Sequence, residues 1–115
     1  MPFCSLGLQS MSGPRTESEA LLWIQDALAS GRYVPSVHMR DRLRERDINM
    51  DDVFNAIDSA TGCQPYDRSP PEHQGTCWRV TGPTVDGESV AIGVEAFLDK
   101  KRRRCMLCTV FRTGE

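Results

Sequence analysis

Residues 49–63 read NMDDVFNAIDSATGC, and the hydrophobic period of the chain changes within them. Met50, Val53, Phe54, Ile57 and Ala60 recur at the intervals that lay apolar side chains along one stripe of an α-helix. Asn49, just before the stripe, offers an N-cap oxygen to the orphan backbone N–H groups, and Gly62 is expected to stop the helix. From Cys63 onward the pattern alternates, and Pro65, Pro70, Pro71, Gly75, Gly82, Pro83 and Gly87 cut the remainder into short extended pieces. The chain before this boundary therefore reads as helical and the chain after it as sheet.

Working outward, Thr16-Glu17-Ser18-Glu19 has the capping-box form and precedes Ala20, Leu21, Ile24, Ala27 and Leu28 at helical spacing. Gly31 is placed to end that helix in a left-handed conformation. Tyr33-Val34-Pro35 is short enough for only an edge strand or a linker. Ser36 offers a cap to a second helix over residues 37–46, and Asp47-Ile48 makes a tight corner before the third. Downstream, strands are expected at 63–66, 76–81, 88–97 and 104–111. Their joints, 67–75, 82–87 and 98–103, are too short for crossover helices, so neighbouring strands should run antiparallel. The expected fold is α+β, with two or three N-terminal helices packed on one face of a small antiparallel meander. Residues 1–15, rich in Ser, Gly and Pro, read as a flexible arm, and 16–115 as a single domain.

The 115 residues are 39% hydrophobic and 26% charged with a net charge of −2, which excludes a disordered or collagen-like chain. No apolar stretch approaches the roughly 20 residues needed to span a bilayer. Residues 1–14 carry no charged side chain, so the basic start of a secretory signal is missing and a cytoplasmic location is expected. The five cysteines are an odd number, and free thiols are expected rather than disulfides. Cys105 and Cys108 have Cys-x-x-Cys spacing, but no second pair completes a zinc site, so both read as small buried hydrophobes and no metal or cofactor is expected.

Within the second helix His38, Arg42 and Arg46 fall on one ridge beside the apolar Met39 and Leu43. Arginines at such a margin bury their stems and present guanidinium groups to a carboxylate or phosphate, or simply pair with Asp41 and Glu45. Along the third strand Val90, Ile92, Val94 and Ala96 form the file expected to face the helices, leaving Ala91, Gly93, Glu95 and Phe97 on a shallow open side. Arg79 shares a face with Cys77 and Thr81, and stands near Glu95 if the strand register allows. Lys100, Lys101, Arg102, Arg103 and Arg104 put five positive charges in the expected hairpin loop. With Arg40, Arg42, Arg44 and Arg46 they make nine of the fourteen basic residues, a local positive field able to bind nucleic acid despite the acidic total.

The run His38-x-x-x-Arg42-x-x-x-Arg46-Asp47-Ile48, with Asp52-Val53, Ala56-Ile57, Tyr66, Trp78-Arg79-Val80, residues 90–94 and Cys108-Thr109-Val110-Phe111, resembles the family called domain of unknown function 4258 over residues 37–112. That family is similar in fold to the RelE and ParE toxin superfamily, which includes the BrnT toxins. The resemblance implies a toxin-type domain: RelE-like toxins cleave messenger RNA, usually on the ribosome, ParE-like relatives act on DNA gyrase, and an antitoxin commonly silences each. It carries His38, Arg42 and Arg46 over as helix positions, and Arg79 and Thr109 as sheet positions. A metal-independent ribonuclease lets the RNA 2′-hydroxyl attack its own phosphate. In that scheme His38 or Glu95 moves protons, Arg42, Arg46 and Arg79 steady the phosphate, and the basic run holds the flanking backbone. The alternative is a non-enzymatic module that engages a protein target through its sheet face and basic loop.

Overall fold

A computed structural model describes residues 13–66 and 75–114. Residues 1–12 of the arm expected at 1–15, and most of the loop expected at 67–75, lie outside the described residues.

The first helix of the described residues, α1 (Glu17–Ala29), starts at its Thr16 cap, whose Oγ1 accepts from Glu19 N–H at 3.1 Å. The return half of the box goes to a neighbour, because Glu19 Oε1 accepts from Arg15 N–H at 3.1 Å. At the far end Gly31 has φ +74°, and Arg32 N–H reaches back to the Ala27 carbonyl at 2.8 Å. After β1 (Tyr33–Pro35), Ser36 caps α2 (Val37–Glu45) through Met39 N–H at 3.0 Å. The Asp47 corner repeats the end of α1 with a side chain in place: φ is +54°, and Ile48 N–H bonds the Leu43 carbonyl at 2.9 Å. Asp tolerates this left-handed position better than most non-glycine residues. In α3 (Met50–Asp58) Asn49 and Asp52 form a reciprocal capping box. This helix ends on Ser59, so Gly62 is not its stop; Gly62 opens β2 (Gly62–Pro65) instead.

The sheet adds β3 (Thr76–Pro83), β4 (Ser89–Asp99) and β5 (Arg102–Arg112), in the spatial order β1-β5-β4-β3-β2. From β2 to β5 it is the antiparallel meander expected from the short joints. The edge strand β1 departs from that expectation, pairing parallel with β5 with Val34 opposite Met106. Hairpin geometry constrains only strands joined by short loops, and β1 reaches β5 through two helices and three strands. The sheet is therefore mixed.

The three helices of the described residues all cover one face. Trp78, Val80, Val90, Ile92, Val94, Ala96, Cys105, Leu107 and Val110 meet Ile24 of α1, Met39 of α2 and Val53, Ala56 and Ile57 of α3 in one core. Fully buried side chains of this size, such as Ile24, Ile92 and Leu107, each contribute about 1.5–3 kcal/mol. Strict alternation would put Val110 on the opposite face from Leu107. A bulge at Cys108, where Gly93 faces Thr109 but Val94 faces Leu107, shifts the phase and returns Val110 to the core. Both indole N–H groups are satisfied: Trp23 donates to the Arg104 carbonyl at 3.1 Å and Trp78 to Thr76 Oγ1 at 2.7 Å. Pro14, assigned by sequence to the flexible arm, is buried, and its carbonyl accepts from Thr76 Oγ1 at 2.8 Å, which fastens the approach to α1 onto the start of β3.

Candidate functional site

The helix-free face of the sheet is built by the alternate files of the strands. Register sets Arg79 opposite Gly93 and Gly93 opposite Thr109, with Gln64 of β2 completing the row. The next row runs Thr81, Ala91, Phe111. Ala91 and Gly93 leave a trough across the middle of β4, and larger neighbours lean into it. The Arg79 guanidinium crosses it to lie 5.0 Å from the centre of the Phe111 ring. Tyr66, which follows β2, lies over Gly93 so closely that a Cβ there would meet its ring at 2.9 Å. The small file that reads as an open shallow surface is therefore buried under Tyr66, Arg79 and Phe111, which themselves are half-buried and form the outer surface. Arg79 Nε is buried and has no hydrogen-bond partner among the described residues.

Glu95 lies on this face, one residue pair along from Arg79 and opposite Cys77. Among the described residues Arg79 and Glu95 do not pair with each other; Glu95 is engaged elsewhere, its Oε2 accepting from the Gly75 backbone N–H at 3.1 Å. Only 5% of Glu95 is exposed, which withdraws it from any ligand resting on the surface.

The helix row is elsewhere. Met39 anchors α2 in the core on the opposite side of the sheet, so His38, Arg42 and Arg46 belong to a different layer from Arg79 and Glu95. His38 is exposed, Arg42 is ion-paired with Glu45 of its own helix, and Arg46 is the C-cap residue. The sequence suggested one hollow for the helix and sheet residues, and the structure separates them into two sets.

The basic run also differs from its expected form. The strands extend to Asp99 and Arg102, leaving a turn of only Lys100 and Lys101, with φ of +52° and +68°. Positive φ at both central residues is the geometry of a type I′ hairpin, which favours Asn-Gly and is strained by lysine. Arg102, Arg103 and Arg104 therefore alternate between faces. Arg103 covers Trp23 at 5.2 Å on the helix side, while Arg104 Nε stands 3.1 Å from Asp99 Oδ2 on the other. Lys100, Lys101 and Arg102 make no ion pair among the described residues, and they stand at the end of the polar face.

Periodicity alone does not reveal the Tyr66, Arg79 and Phe111 cluster, since it depends on register across three strands. Its one sequence signal is the pair of small residues, Ala91 and Gly93, on a single file. Among the described residues no group of His, Cys, Asp or Glu is arranged to hold a metal ion.

The four described thiols are held in their protonated form by their surroundings. Burial, then the Glu95 and Cys108 charges, pushes Cys77 from the usual 9.0 up to about 12. Burial and the neighbouring Cys108 likewise push Cys105 to about 12. Burial raises Cys63 and Cys108 to about 11, with Glu17 adding to the first and Glu95 to the second. At pH 8 the thiolate fraction of Cys63 and Cys108 falls about a hundredfold below that of an ordinary cysteine. Alkylation of these peptides, followed by mass spectrometry, is expected to be slower by at least that factor in the native protein than in guanidinium chloride. Because the folded thiols hold their protons more tightly than unfolded ones, their contribution to stability is complete below pH 9 and is lost as pH rises through 11–12.

No family model, curated protein or solved structure matches the chain.

Proposed function

We propose that this is a RelE-like, toxin-type domain that lays single-stranded RNA across the helix-free face of its sheet. The observation that carries the reading is the surface made by Tyr66 and by the Arg79 guanidinium stacked on Phe111. Rings and guanidinium planes exposed on a sheet give unpaired bases something to stack on, whatever the sequence. Lys100, Lys101 and Arg102 at the end of the same face supply charge for the phosphates that run past it. The resemblance to RelE-like toxins favours messenger RNA as the class.

Cleavage by the 2′-hydroxyl route asks for a proton acceptor within hydrogen-bond reach of that hydroxyl. Glu95 is on the correct face but covered, and His38 belongs to the helix layer. The geometry thus supports engagement of RNA more strongly than chemistry on it.

The test is a salt titration of binding to a labelled single-stranded RNA, with RNA integrity followed in parallel with and without ribosomes. Affinity is expected to fall steeply with salt. Replacing Lys100, Lys101 and Arg102 by Ser is expected to flatten the log–log slope by about 2, three cations at roughly 0.7 each on a single strand. Absence of saturable binding at low salt overturns the proposal. RNA cleavage that survives in Arg79→Ala overturns the placement of the site.

A further inference from the structure

On the helix side of the molecule α1 and α3 leave a groove of about 420 Å³. Leu28, Phe54 and Ile57 make an apolar floor, and Val85, from the turn between β3 and β4, makes one wall. Val85 is 63% exposed; Leu22, 64% exposed, lies on α1 one turn before Gln25, itself a lining residue. Large apolar side chains held outside the core and continuous with a concave apolar floor mark a surface suited to being covered. The groove is preformed. Gln25 Nε2 donates to the Ile57 carbonyl at 3.0 Å across its base, and Asn55 Nδ2 donates to the Pro83 and Thr84 carbonyls at 3.0 and 3.2 Å.

Charge indicates the occupant. Asp51 and Asp58 line the groove, and among the described residues no Lys or Arg does. Elsewhere the chain pairs Asp26, Asp41, Glu45, Glu88 and Asp99 with arginines. The carboxylates of Asp51 and Asp58 make no such pair and no hydrogen bond among the described residues. Asp58 is also the last residue of α3, where the negative end of the helix dipole opposes a carboxylate. Seven residues on one helix set the two carboxylates about 10 Å apart along the axis. A helix laid along the groove carries Lys or Arg at the same spacing when they are seven residues apart, with apolar residues between them facing Leu28 and Phe54.

We propose that the groove between α1 and α3 docks a cationic amphipathic helix from a partner protein, its apolar anchors against Leu28, Phe54 and Val85 and its basic residues on Asp51 and Asp58. This inference does not depend on RNA binding, which uses the other face.

The probe is a synthetic helical peptide with one leucine stripe flanked by lysines seven residues apart, titrated into the full chain by NMR and calorimetry. Saturable one-to-one binding is expected, with shifts confined to α1, α3 and the Val85 turn. Asp51→Asn with Asp58→Asn is expected to weaken it about tenfold, and Val85→Ser by a similar factor. All three positions are on the groove surface, and an unchanged thermal midpoint shows that the variants remain folded. A control peptide with Glu for Lys is expected not to bind. The proposal is overturned by equal affinity in the Asn pair, by shifts on the sheet face, or by no saturation at millimolar peptide. Concentration-dependent self-association lost in the same variants also overturns it, because a second copy then fills the groove.

Discussion

Gly82→Ala is expected to destabilise the domain by about 3 kcal/mol, the upper part of the range for overpacking a filled interior. Gly82 lies on the helix side of β3, opposite Val90, directly beneath α3. A Cβ there would come within 2.0 Å of the Ala56 carbonyl oxygen and 2.7 Å of its carbon. Both obstructing atoms are backbone, so no rotamer change relieves the contact and α3 as a whole has to lift. Lifting it also strains the Asn55 bonds to Pro83 and Thr84 and the contact of Asp52 Oδ1 with Val85 N–H at 3.1 Å. A chain of this size has a stability of about 5–15 kcal/mol, so the loss is a large fraction of the whole. Urea unfolding reads it as a lower midpoint at an unchanged slope. Two controls isolate the cause. Gly62→Ala, whose nearest neighbour is 4.0 Å away, is expected to be close to neutral, and Gly87→Ala, with φ +92° and open space around it, to cost about 1 kcal/mol from backbone strain alone. Ala56→Gly is not expected to rescue Gly82→Ala, because the Ala56 carbonyl remains. Rescue by that change would show that the side chain, not the backbone, sets the helix–sheet distance.

The elements that chain-local physics decides were legible in the sequence. Thr16, Ser36 and Asn49 cap their helices because a short polar side chain before an apolar stripe satisfies backbone donors a few residues away. The core file of β4 was equally legible, because alternation and burial agree. Features that depend on pairing between distant segments were not. The parallel pairing of β1 with β5 and the bulge at Cys108 are set by packing across the sheet. The basic run read as a loop because charge density masked strand pairing that continues to Asp99 and Arg102. The site was legible only in part: Arg79 and Glu95 do share a face, but placing His38, Arg42 and Arg46 beside them required α2 to border the polar side of the sheet. Met39 and Leu43 bury the helix against the other side. An i, i+4 row identifies a ridge of a helix; the tertiary fold decides what that ridge looks onto.

That separation gives the functional proposal its sharpest result. Tyr66→Ala and Arg79→Ala are each expected to weaken single-stranded RNA binding about tenfold, and together about a hundredfold, at roughly 1–3 kcal/mol per lost stacking contact. The cost to the fold is smaller: removing the Arg79 contact with Phe111 forfeits about 0.5–1 kcal/mol, the value of an accessible cation–π pair. Conservative changes divide the physical causes. Tyr66→Phe keeps the ring over Gly93 and is expected to bind as the parent does. Arg79→Lys keeps the charge but loses the planar group that lies on Phe111, so it should retain the salt dependence while losing most of the affinity. His38→Ala and Arg42→Ala, in the helix layer, are expected to leave binding unchanged. Fluorescence anisotropy at two salt concentrations separates these outcomes. Parent-like binding by the Tyr66→Ala, Arg79→Ala pair, with loss on neutralising the hairpin, would mean that RNA is held by charge at the tip and the face is no platform. Loss of binding in His38→Ala or Arg42→Ala would move the site to the helices. The predicted pattern, sensitive at ring and guanidinium and indifferent on α2, follows from a strand register that puts Arg79 beside a glycine and within reach of an aromatic ring.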